Sequence, residues 1–142
     1  MAMEAFPGAR WEVLTRHECL ALLGTRSFGR LGVSIEALPA ILPVRFALLD
    51  ERVLVRTVPG TKLDAAVAQS VVAFEVDDHA DDGSWGWSVL VRGRGTELTE
   101  PEEVARAEAL PLLVWSFNGR VADRFLAIDT SLVTGRRFGE RS

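Results

Sequence analysis

The sequence of 142 residues contains no tyrosine, one cysteine, two histidines and a single lysine. One cysteine excludes a disulfide within the chain, and two separated histidines with one cysteine are too few for a structural zinc site. The common side-chain acids, bases and nucleophiles are therefore scarce, and neither a G-x-S-x-G motif nor a Ser-His-Asp set is found. This shortage is typical of a protein whose cofactor carries the reaction.

The sequence also lacks a surplus of basic residues and a long apolar run. Its formal net charge is −4 and its isoelectric point is near 5.2, which argues against a nucleic-acid-binding protein. No stretch is long and apolar enough to cross a bilayer, and residues 1–10 lack the apolar core of a signal peptide. We therefore expect a protein that binds neither nucleic acid nor membrane and works in the cytoplasm.

The order of predicted elements is typical of a closed or split antiparallel barrel. A capping box at Thr15 and Glu18 predicts a helix that ends at Gly24, and further short helices are predicted after Thr61 and Pro101. With no linker or repeat, we predict one domain, residues 1–142, in which residues 1–10 form a loose N-terminal segment. Alternating apolar residues predict strands at residues 27–35, 40–49, 52–58, 71–77, 87–98, 124–129 and 132–138.

The first three strands are predicted to form a meander, with turns at residues 36–37 and 50–51. Pro43 lies in the middle of the second strand and removes one backbone donor. This predicts a sheet edge, or a place where a ligand meets the backbone. Gly93 and Gly95 predict a bend in the long strand near the middle of the chain.

Residues 53–64 (VLVRTVPGTKLD) combine groups that bind phosphate. A strand that ends in Arg56 and Thr57 leads through a Pro-Gly turn into a helix that begins with Thr61 and Lys62. Free N–H groups at a helix start, two cationic side chains and threonine hydroxyls can all donate to an anion. Lys62 is the only lysine among sixteen basic residues, and a phosphate contact would explain it. The same pattern also fits an ordinary surface helix with Thr61 as its N-cap, and it matches no Walker motif.

Few other residues point to chemistry. Trp85 and Trp87 precede Ser88 at the start of a long strand, where they could wall a flat ring system or pack in the core. The two histidines have no partner at an interpretable spacing. Cys19 lies on the apolar face of the first helix and is predicted to be a core residue.

Five motifs in a fixed order carry a resemblance to a known family: GRLGV, LPAILPVRFALL, VLVRTVPGTKL, VAFEVD and GWSVLVRGRGTEL. Over residues 14–138 the chain resembles the pyridoxamine 5'-phosphate oxidase-like family of FMN-binding split barrels, in particular its small actinobacterial members. The resemblance implies a mainly β fold, a six-stranded antiparallel split β-barrel. It also implies a homodimer that holds FMN in two clefts at the subunit interface.

The resemblance further implies which residues contact the flavin. The phosphate is expected at Arg56, Thr57 and Lys62, which are flanked by Thr61 and Leu63. The segment around Trp115 is one that often closes over the cleft in such proteins. The isoalloxazine ring is expected to meet the backbone of Pro43, Val44, Arg45 and Phe46. Trp87 and Ser88 of the other subunit are also expected to approach it.

An FMN-dependent oxidoreductase is the function that the resemblance favours, with hydride transfer through the flavin to or from a small substrate. The oxidase itself uses further basic residues to bind pyridoxal phosphate. Arg136 and Arg137 are the only candidates for that set in this chain, so we do not expect pyridoxamine phosphate oxidation.

Two other functions remain open on the same fold. A deazaflavin-dependent reductase would need a basic groove for the acidic tail of its cofactor, for which Arg30, Arg92 and Arg94 are candidates. A non-catalytic protein that holds flavin or haem is the other, with His79 as a haem ligand to test.

Overall fold

The computed structural model describes residues 10–139, except for the side chain of Phe117. The predicted loose segment falls outside these residues apart from Arg10, and the one-domain organisation stays a prediction. No helix within residues 10–139 is long and apolar enough to span a membrane. In chain order the elements are β1 (Trp11–Val13), α1 (Arg16–Leu23), β2 (Phe28–Ile35), β3 (Leu38–Arg45), β4 (Ala47–Leu49), β5 (Arg52–Thr57), α2 (Lys62–Val67), β6 (Val71–His79), β7 (Gly86–Glu97), α3 (Pro101–Glu108), β8 (Ser116–Phe117), β9 (Arg120–Val121), β10 (Arg124–Ile128) and β11 (Leu132–Phe138).

Capping residues set where the helices begin. The Thr15 hydroxyl accepts the N–H of Glu18 at 3.1 Å, and the Glu18 carboxylate accepts the N–H of Thr15 at 2.9 Å. Thr61 caps α2, and Pro101 occupies the first turn of α3. Such residues satisfy, or in the case of proline remove, backbone donors that have no partner within the helix. The predicted starts of the three helices are confirmed.

The main sheet is antiparallel and curls back on itself. Its strands follow the order β3-β2-β6-β7-β10-β5-β4, while β11 pairs with both β7 and β1. Strands β3 and β4 lie at opposite ends of this order, although only Phe46 separates them in the chain. The two edges must therefore approach each other, which is the geometry of a split barrel. The mainly β, antiparallel split-barrel fold predicted from the sequence is confirmed.

Residues 40–49 were predicted to be one strand, but they form parts of two. Strand β3 pairs with β2 and β4 pairs with β5, so both hairpins of the predicted meander form, but its single middle strand is wrong. Phe46 lies at the break, is buried, and packs edge-on against Phe74 with ring centroids 4.8 Å apart. Burial of this ring anchors the corner at which the chain passes from one sheet edge to the other. The predicted turns at residues 36–37 and 50–51 are confirmed by two antiparallel pairings and by positive φ at all four residues.

Strand β7 changes partner near its middle. It pairs with β11 up to Arg92 and with β10 from Gly95 onward. A Cβ atom on Gly93 would lie 1.9 Å from the carbonyl oxygen of Asp129, so only glycine allows this close approach. The bend that the two glycines predicted falls at this change of partner.

Two apolar clusters form the core on either side of the β5–β10 pair. The larger cluster fills the barrel with side chains from the central strands, α1 and α2. Cys19 is fully buried in it, as predicted, and burial raises the pKa of its thiol. The smaller cluster includes Leu54, Leu112 and Phe125, together with Ala107 of α3. Neighbouring residues of β5 therefore face different clusters, which determines where the side chains of the candidate site point.

Candidate functional site

Strand β5 runs into helix α2 through a tight turn at residues 58–60. Gly60 has φ of +78°, a left-handed conformation that glycine adopts without steric cost. The Thr61 hydroxyl donates to the carbonyl of Val58 at 2.8 Å and accepts the N–H of Asp64 at 3.1 Å. The strand–turn–helix unit predicted for residues 53–64 is therefore confirmed.

Asp64 occupies the centre of this turn. Its side chain is only 4% exposed. Its carboxylate accepts from the Thr57 hydroxyl at 2.8 Å, the Gly60 N–H at 3.0 Å and the Arg124 guanidinium at 2.5 Å. The Thr57 hydroxyl, which the sequence assigned to phosphate, thus already has an acceptor. Sequence reasoning missed Asp64, because an acid three residues after a threonine cap is a common helix-capping pattern.

Arg56 points to the opposite face of β5 from Thr57, since neighbouring strand residues alternate. Its Nε donates to the carbonyl of Leu112 at 2.8 Å, and its guanidinium lies 4.3 Å from the ring centroid of Phe125. Burial lowers the pKa of Arg56. The guanidinium therefore packs against the smaller core cluster. Arg56 and Lys62 contact different residues and do not meet at one site.

Lys62 lies at the mouth of a shallow groove between α2 and the turn that joins β2 to β3. Its Nζ is 2.8 Å from the Glu36 carboxylate, and its side chain is 73% exposed. Leu63, the next residue, packs partly against the larger core cluster. Because an exposed ion pair contributes little to stability, the ammonium can exchange Glu36 for an anionic ligand. The groove has a volume of about 250 Å³ and is lined by Ser34, Ile35, Glu36, Lys62, Ala65 and Ala66.

Strand β3 forms one edge of the main sheet. It pairs with β2 on one side, and no strand within residues 10–139 pairs with its other side. Pro43 lies opposite Arg30 in this pairing, so the edge position predicted from the mid-strand proline is confirmed. Val44 is partly buried against the larger core cluster, and the Arg45 guanidinium lies 4.7 Å from the ring centroid of Phe28. The outer backbone edge of residues 43–45 therefore remains open to a ligand.

Trp87 and Ser88 lie at the start of β7, which β2 and β6 separate from β3. Trp87 lines a cavity of about 790 Å³ together with Trp85 and Phe138. The guanidinium of Arg26 lies 5.6 Å from the Trp87 ring centroid. No residue that lines this cavity also lines the groove at Lys62. A single chain therefore does not bring Trp87 and Ser88 together with Lys62.

Residues 111–122 connect α3 to β10 and approach the turn before α2. Four apolar side chains in this connection are exposed, including Trp115 at 37%. The Arg120 guanidinium donates to the carbonyl of Pro59 in the turn. The segment thus places exposed apolar surface close to the predicted phosphate site.

The three arginines considered for an acidic tail, Arg30, Arg92 and Arg94, project from the outer face of the sheet, according to strand register. Nη1 of Arg30 donates to Glu75 at 3.0 Å and to Asp77 at 2.8 Å. Burial, followed by the hydrogen bond and charge of Asp77, raises the pKa of Glu75 to about 7. Arg30 is therefore already engaged, and Nη1 of Arg94 donates to the carbonyl of Gln69 at 2.5 Å. Arg92 lies two residues before Arg94 on the same strand.

The candidate arginine pair near the end of the chain is divided between different partners. Arg137 donates to Glu12 at 2.7 Å and to Glu18 at 3.1 Å. The guanidinium of Arg136 lies 5.8 Å from the ring centroid of Trp11. These contacts tie the pair to β1 and α1.

His79 is exposed, and its Nδ1 lies 2.9 Å from the carbonyl oxygen of Ala80. The part of the chain from Arg10 to Gly139 contains no group of three or more His, Cys, Asp or Glu side chains that could hold a metal ion. No contact of His79 therefore supports it as a haem ligand.

Comparison with known proteins gives close matches over most of the chain. Uncharacterized protein Rv0080 of Mycobacterium tuberculosis is 40% identical over 129 residues, which cover 87% of this chain and 83% of the relative. The structure of the FAD binding protein from Mycobacterium smegmatis matches with a TM-score of 0.76 and 33% identity, over 89% of this chain and 99% of that chain. A conserved protein of unknown function from Corynebacterium diphtheriae matches with a TM-score of 0.72 and 31% identity, over 90% of this chain and 98% of that one.

The family match covers most of the barrel and the three parts of the candidate site. The sequence profile of the family described as pyridoxamine 5'-phosphate oxidase matches residues 15–137. This range includes the open edge of β3, the turn before α2 and the start of β7. By this match, the chain belongs to the pyridoxamine 5'-phosphate oxidase family.

Proposed function

We propose that this protein is a cytoplasmic, homodimeric flavoprotein that passes a hydride between a bound flavin and a small substrate. The observation that carries the proposal is Lys62, an exposed ammonium in a replaceable ion pair at a groove that adjoins the turn into β3. Family membership supports the proposal, and so does the similarity to an FAD binding protein at 33% identity.

The residues at this groove fit the phosphate end of a flavin. Lys62 would release Glu36 and pair with the phosphate, which gives a charge-assisted hydrogen bond. Along the open edge of β3, backbone groups of residues 43–45 would then orient the ring, while the N–H of Phe46 already donates to the carbonyl of Ser27 at 3.0 Å. When bound, the flavin supplies the redox chemistry, because the hydride moves through its N5 atom. FMN is the flavin that the family resemblance implies.

A second copy of the chain would complete the site. The outer face of the sheet carries Phe28, Ile41, Val71 and Leu132, each of which is more than half exposed. Exposed apolar side chains grouped on one face in this way often mark a protein–protein contact. We infer that a second copy packs on this face and brings its own Trp87 and Ser88 toward the flavin.

A deazaflavin-dependent reductase is the second candidate function. Arg92 and Arg94 favour it, because they lie on the outer face of the sheet, where an acidic cofactor tail would meet them. A protein that binds flavin or haem without turnover is the third candidate. If the protein binds flavin but no nicotinamide donor reduces that flavin, this third candidate function is favoured.

The absorption spectrum of freshly purified protein tests the proposal most directly. Bound flavin is expected to absorb at about 450 nm and deazaflavin at about 420 nm, whereas haem would give an intense Soret band. Mass spectrometry of the released ligand would then identify the cofactor. Protein that carries no chromophore and binds no added flavin would overturn the proposal.

Replacement of the lysine gives a quantitative test. In Lys62→Ala we expect flavin affinity to fall roughly 10- to 100-fold, since a charge-assisted hydrogen bond to phosphate is worth about 1.5–3 kcal/mol. Glu36→Gln should act in the opposite direction, because it frees the ammonium from its carboxylate. Arg106→Ala is the matched control, since it removes an exposed cation from α3 that also pairs with one carboxylate. Equal affinities for Lys62→Ala and the unmodified protein in a flavin titration would remove Lys62 from the site.

A further inference from the structure

The outer face of the main sheet carries a carboxylate with too few donors close to a guanidinium without an acceptor. We propose that these two groups pair between subunits, so that Arg92 of each copy binds Glu75 of the partner subunit. The inference rests on the proposed function, because it takes a second copy to cover this face. It goes further in naming the residues that meet there and the symmetry that relates them.

Strand register arranges the outer face in rows that cross the strands. One row contains Gly32, Ala73, Arg92 and Leu132, and the next contains Arg30, Glu75, Leu90 and Thr134. Glu75 on β6 and Arg92 on β7 are therefore diagonal neighbours across one pair of strands. Ala73 and Leu90 occupy the other two corners of this quartet.

Glu75 shares its donor with a second carboxylate. Nη1 of Arg30 lies 3.0 Å from the Glu75 carboxylate and 2.8 Å from that of Asp77. Burial, followed by the effect of Asp77, raises the pKa of Glu75 to about 7, as expected for a carboxylate with too few donors. The side chain of Glu75 is 29% exposed, so another donor can still reach it.

Arg92 has the opposite imbalance. It is exposed and, within residues 10–139, makes no hydrogen bond, ion pair or aromatic contact. A guanidinium can donate two parallel hydrogen bonds to one carboxylate, so Arg92 offers what the Glu75 cluster lacks. The other arginines that register places on this face all have such a contact, and they are Arg30, Arg45, Arg94 and Arg136.

Two-fold symmetry converts the two imbalances into two ion pairs. Copies that pack face to face are related by an axis that lies in the plane of the contact. An axis close to the diagonal from Ala73 to Leu90 exchanges the positions of Arg92 and Glu75. The Arg92 of each copy then lies over Glu75 of the partner subunit, and the short side chain of Ala73 lets the two sheets approach. A second copy supplies this matching arrangement by symmetry, which favours it over an unrelated partner.

Apolar side chains flank the quartet. Leu132 lies opposite Arg92 and is 60% exposed, while Ile41 lies opposite Gly32 and is 74% exposed. A second copy that covers them removes water from the ion pairs, which strengthens them and weakens their screening by salt. Arginine in such surroundings is a common source of binding energy at interfaces. We therefore expect the pair to set both the affinity and the orientation of the dimer.

Charge reversal in both directions tests the pairing. Sedimentation equilibrium at pH 8, where Glu75 is ionised, gives the dimer Kd of full-length unmodified protein, Arg92→Glu, Glu75→Arg and the double variant. Each single substitution should raise the Kd at least about 30-fold, because both symmetry-related pairs become like-charge contacts. The double variant should bind at least about tenfold more tightly than either single variant, because opposite charges meet again.

Arg106→Glu is the control for the change in net charge. It reverses an exposed guanidinium of α3 that pairs with Asp50, and it should alter the dimer Kd less than about threefold. Single variants that behave like this control overturn the inference. A double variant that dimerises no more tightly than the single variants also overturns it.

A cross-linking measurement avoids reversing any charge. Arg92→Lys keeps the cation, and a carbodiimide joins its ammonium to a touching carboxylate as an amide while the reagent takes up the water that is lost. Lys62 is the only lysine of the unmodified chain, so few other links can form. Mass mapping of the covalent dimer should find position 92 joined to Glu75. A covalent dimer without this link contradicts the inference.

Failure of this inference differs from failure of the proposed function. If the protein binds flavin and dimerises, but the charge reversals act like Arg106→Glu, the copies meet through other contacts and the flavoprotein proposal stands. If it binds flavin but remains monomeric, the homodimer and this inference fail together. If the charge reversals behave as expected and no flavin binds, the inference stands while the proposed cofactor does not.

Discussion

Two clusters in this molecule pair carboxylates with arginine, yet they treat those carboxylates differently. At the turn before α2, Asp64 accepts hydrogen bonds from three donors, which belong to β5, the turn and β10. On the outer face of the sheet, Glu75 and Asp77 share a single nitrogen, Nη1 of Arg30. The first cluster holds one carboxylate with three donors, whereas the second holds two carboxylates with one.

Donor number decides how each cluster tolerates burial. Burial disfavours the charged form of Glu75 and the adjacent Asp77 adds repulsion, and one shared donor does not offset these effects, so the pKa of Glu75 rises to about 7. Asp64 is more deeply buried than Glu75, but its three donors replace the lost hydration. The turn therefore holds its buried carboxylate with three hydrogen bonds, and the outer face carries a group that gains and loses a proton near neutral pH.

Removal of Asp64 is expected to have the largest effect on stability at either cluster. Asp64→Ala leaves the Thr57 hydroxyl and the Gly60 N–H without their acceptor, and it leaves Arg124 with Glu97 alone. We expect the free energy of unfolding to fall by about 3–5 kcal/mol. The milder Asp64→Asn keeps an acceptor and should lower it by about 1–2 kcal/mol. Urea unfolding followed by circular dichroism measures both values.

The control for this prediction is an exposed ion pair of the same chemistry. Glu12 accepts from Arg137 at 2.7 Å at the surface, so Glu12→Gln should change the free energy of unfolding only slightly. If Asp64→Ala were no more damaging than Glu12→Gln, the three donors at Asp64 would contribute no more than a surface contact.

Local signals allowed much of the fold to be predicted from the sequence. The capping box at Thr15, the cap at Thr61, the proline of α3 and the tight turns all depend on residues within a few positions of one another. Their physical causes are local, so they survive in the folded protein. The edge position of β3 was also readable, because a proline in mid-strand cannot donate to a second neighbour.

The predictions from sequence fail where contacts between residues that are distant in the chain determine the structure. The apolar pattern of residues 40–49 continues without a break, but its two halves pair at opposite edges of the sheet because the barrel corner falls at Phe46. Arg56 and Thr57 are adjacent in sequence and were grouped as one phosphate grip, yet alternation along β5 turns them to different faces. Asp64 was missed because its donors include Arg124, which lies 60 positions away in the chain.

Self-association tests the surroundings of the Glu75 cluster, because this cluster lies on the face that we propose a second copy covers. Ile41 is 74% exposed on that face. Ile41→Glu would place a charge in the apolar contact, and we expect the dimer dissociation constant to rise at least about tenfold. Sedimentation equilibrium measures this change.

Ala105→Glu provides the matched control for Ile41→Glu, since it adds the same charge at an exposed position of α3, away from the outer face. A protein that is monomeric at all concentrations, or equal dissociation constants for the two variants, would show that this face is not the interface.

The pH dependence of stability gives the smallest effect and separates the two clusters directly. The folded chain holds a proton on Glu75 up to about pH 7, whereas the unfolded chain releases it near the ordinary value of 4.5. Between these values the folded state binds more protons, so the free energy of unfolding should fall as pH rises from 5 to 8. Glu75→Gln should remove this decline and be more stable than the unmodified protein at pH 8 by about 1–2 kcal/mol, after allowance for partial exposure.

Three acids with lowered pKa values do not confuse this measurement. The pKa values of Glu18, Asp50 and Asp82 are lowered by their hydrogen bonds, so their contributions are lost only at pH values below this window. Asp77→Asn tests the cause, because removing the neighbouring charge should flatten the decline while Glu75 itself is kept. A decline that persists undiminished in Glu75→Gln would assign the proton to another group, and the contrast between one shared donor and three would lose its physical basis.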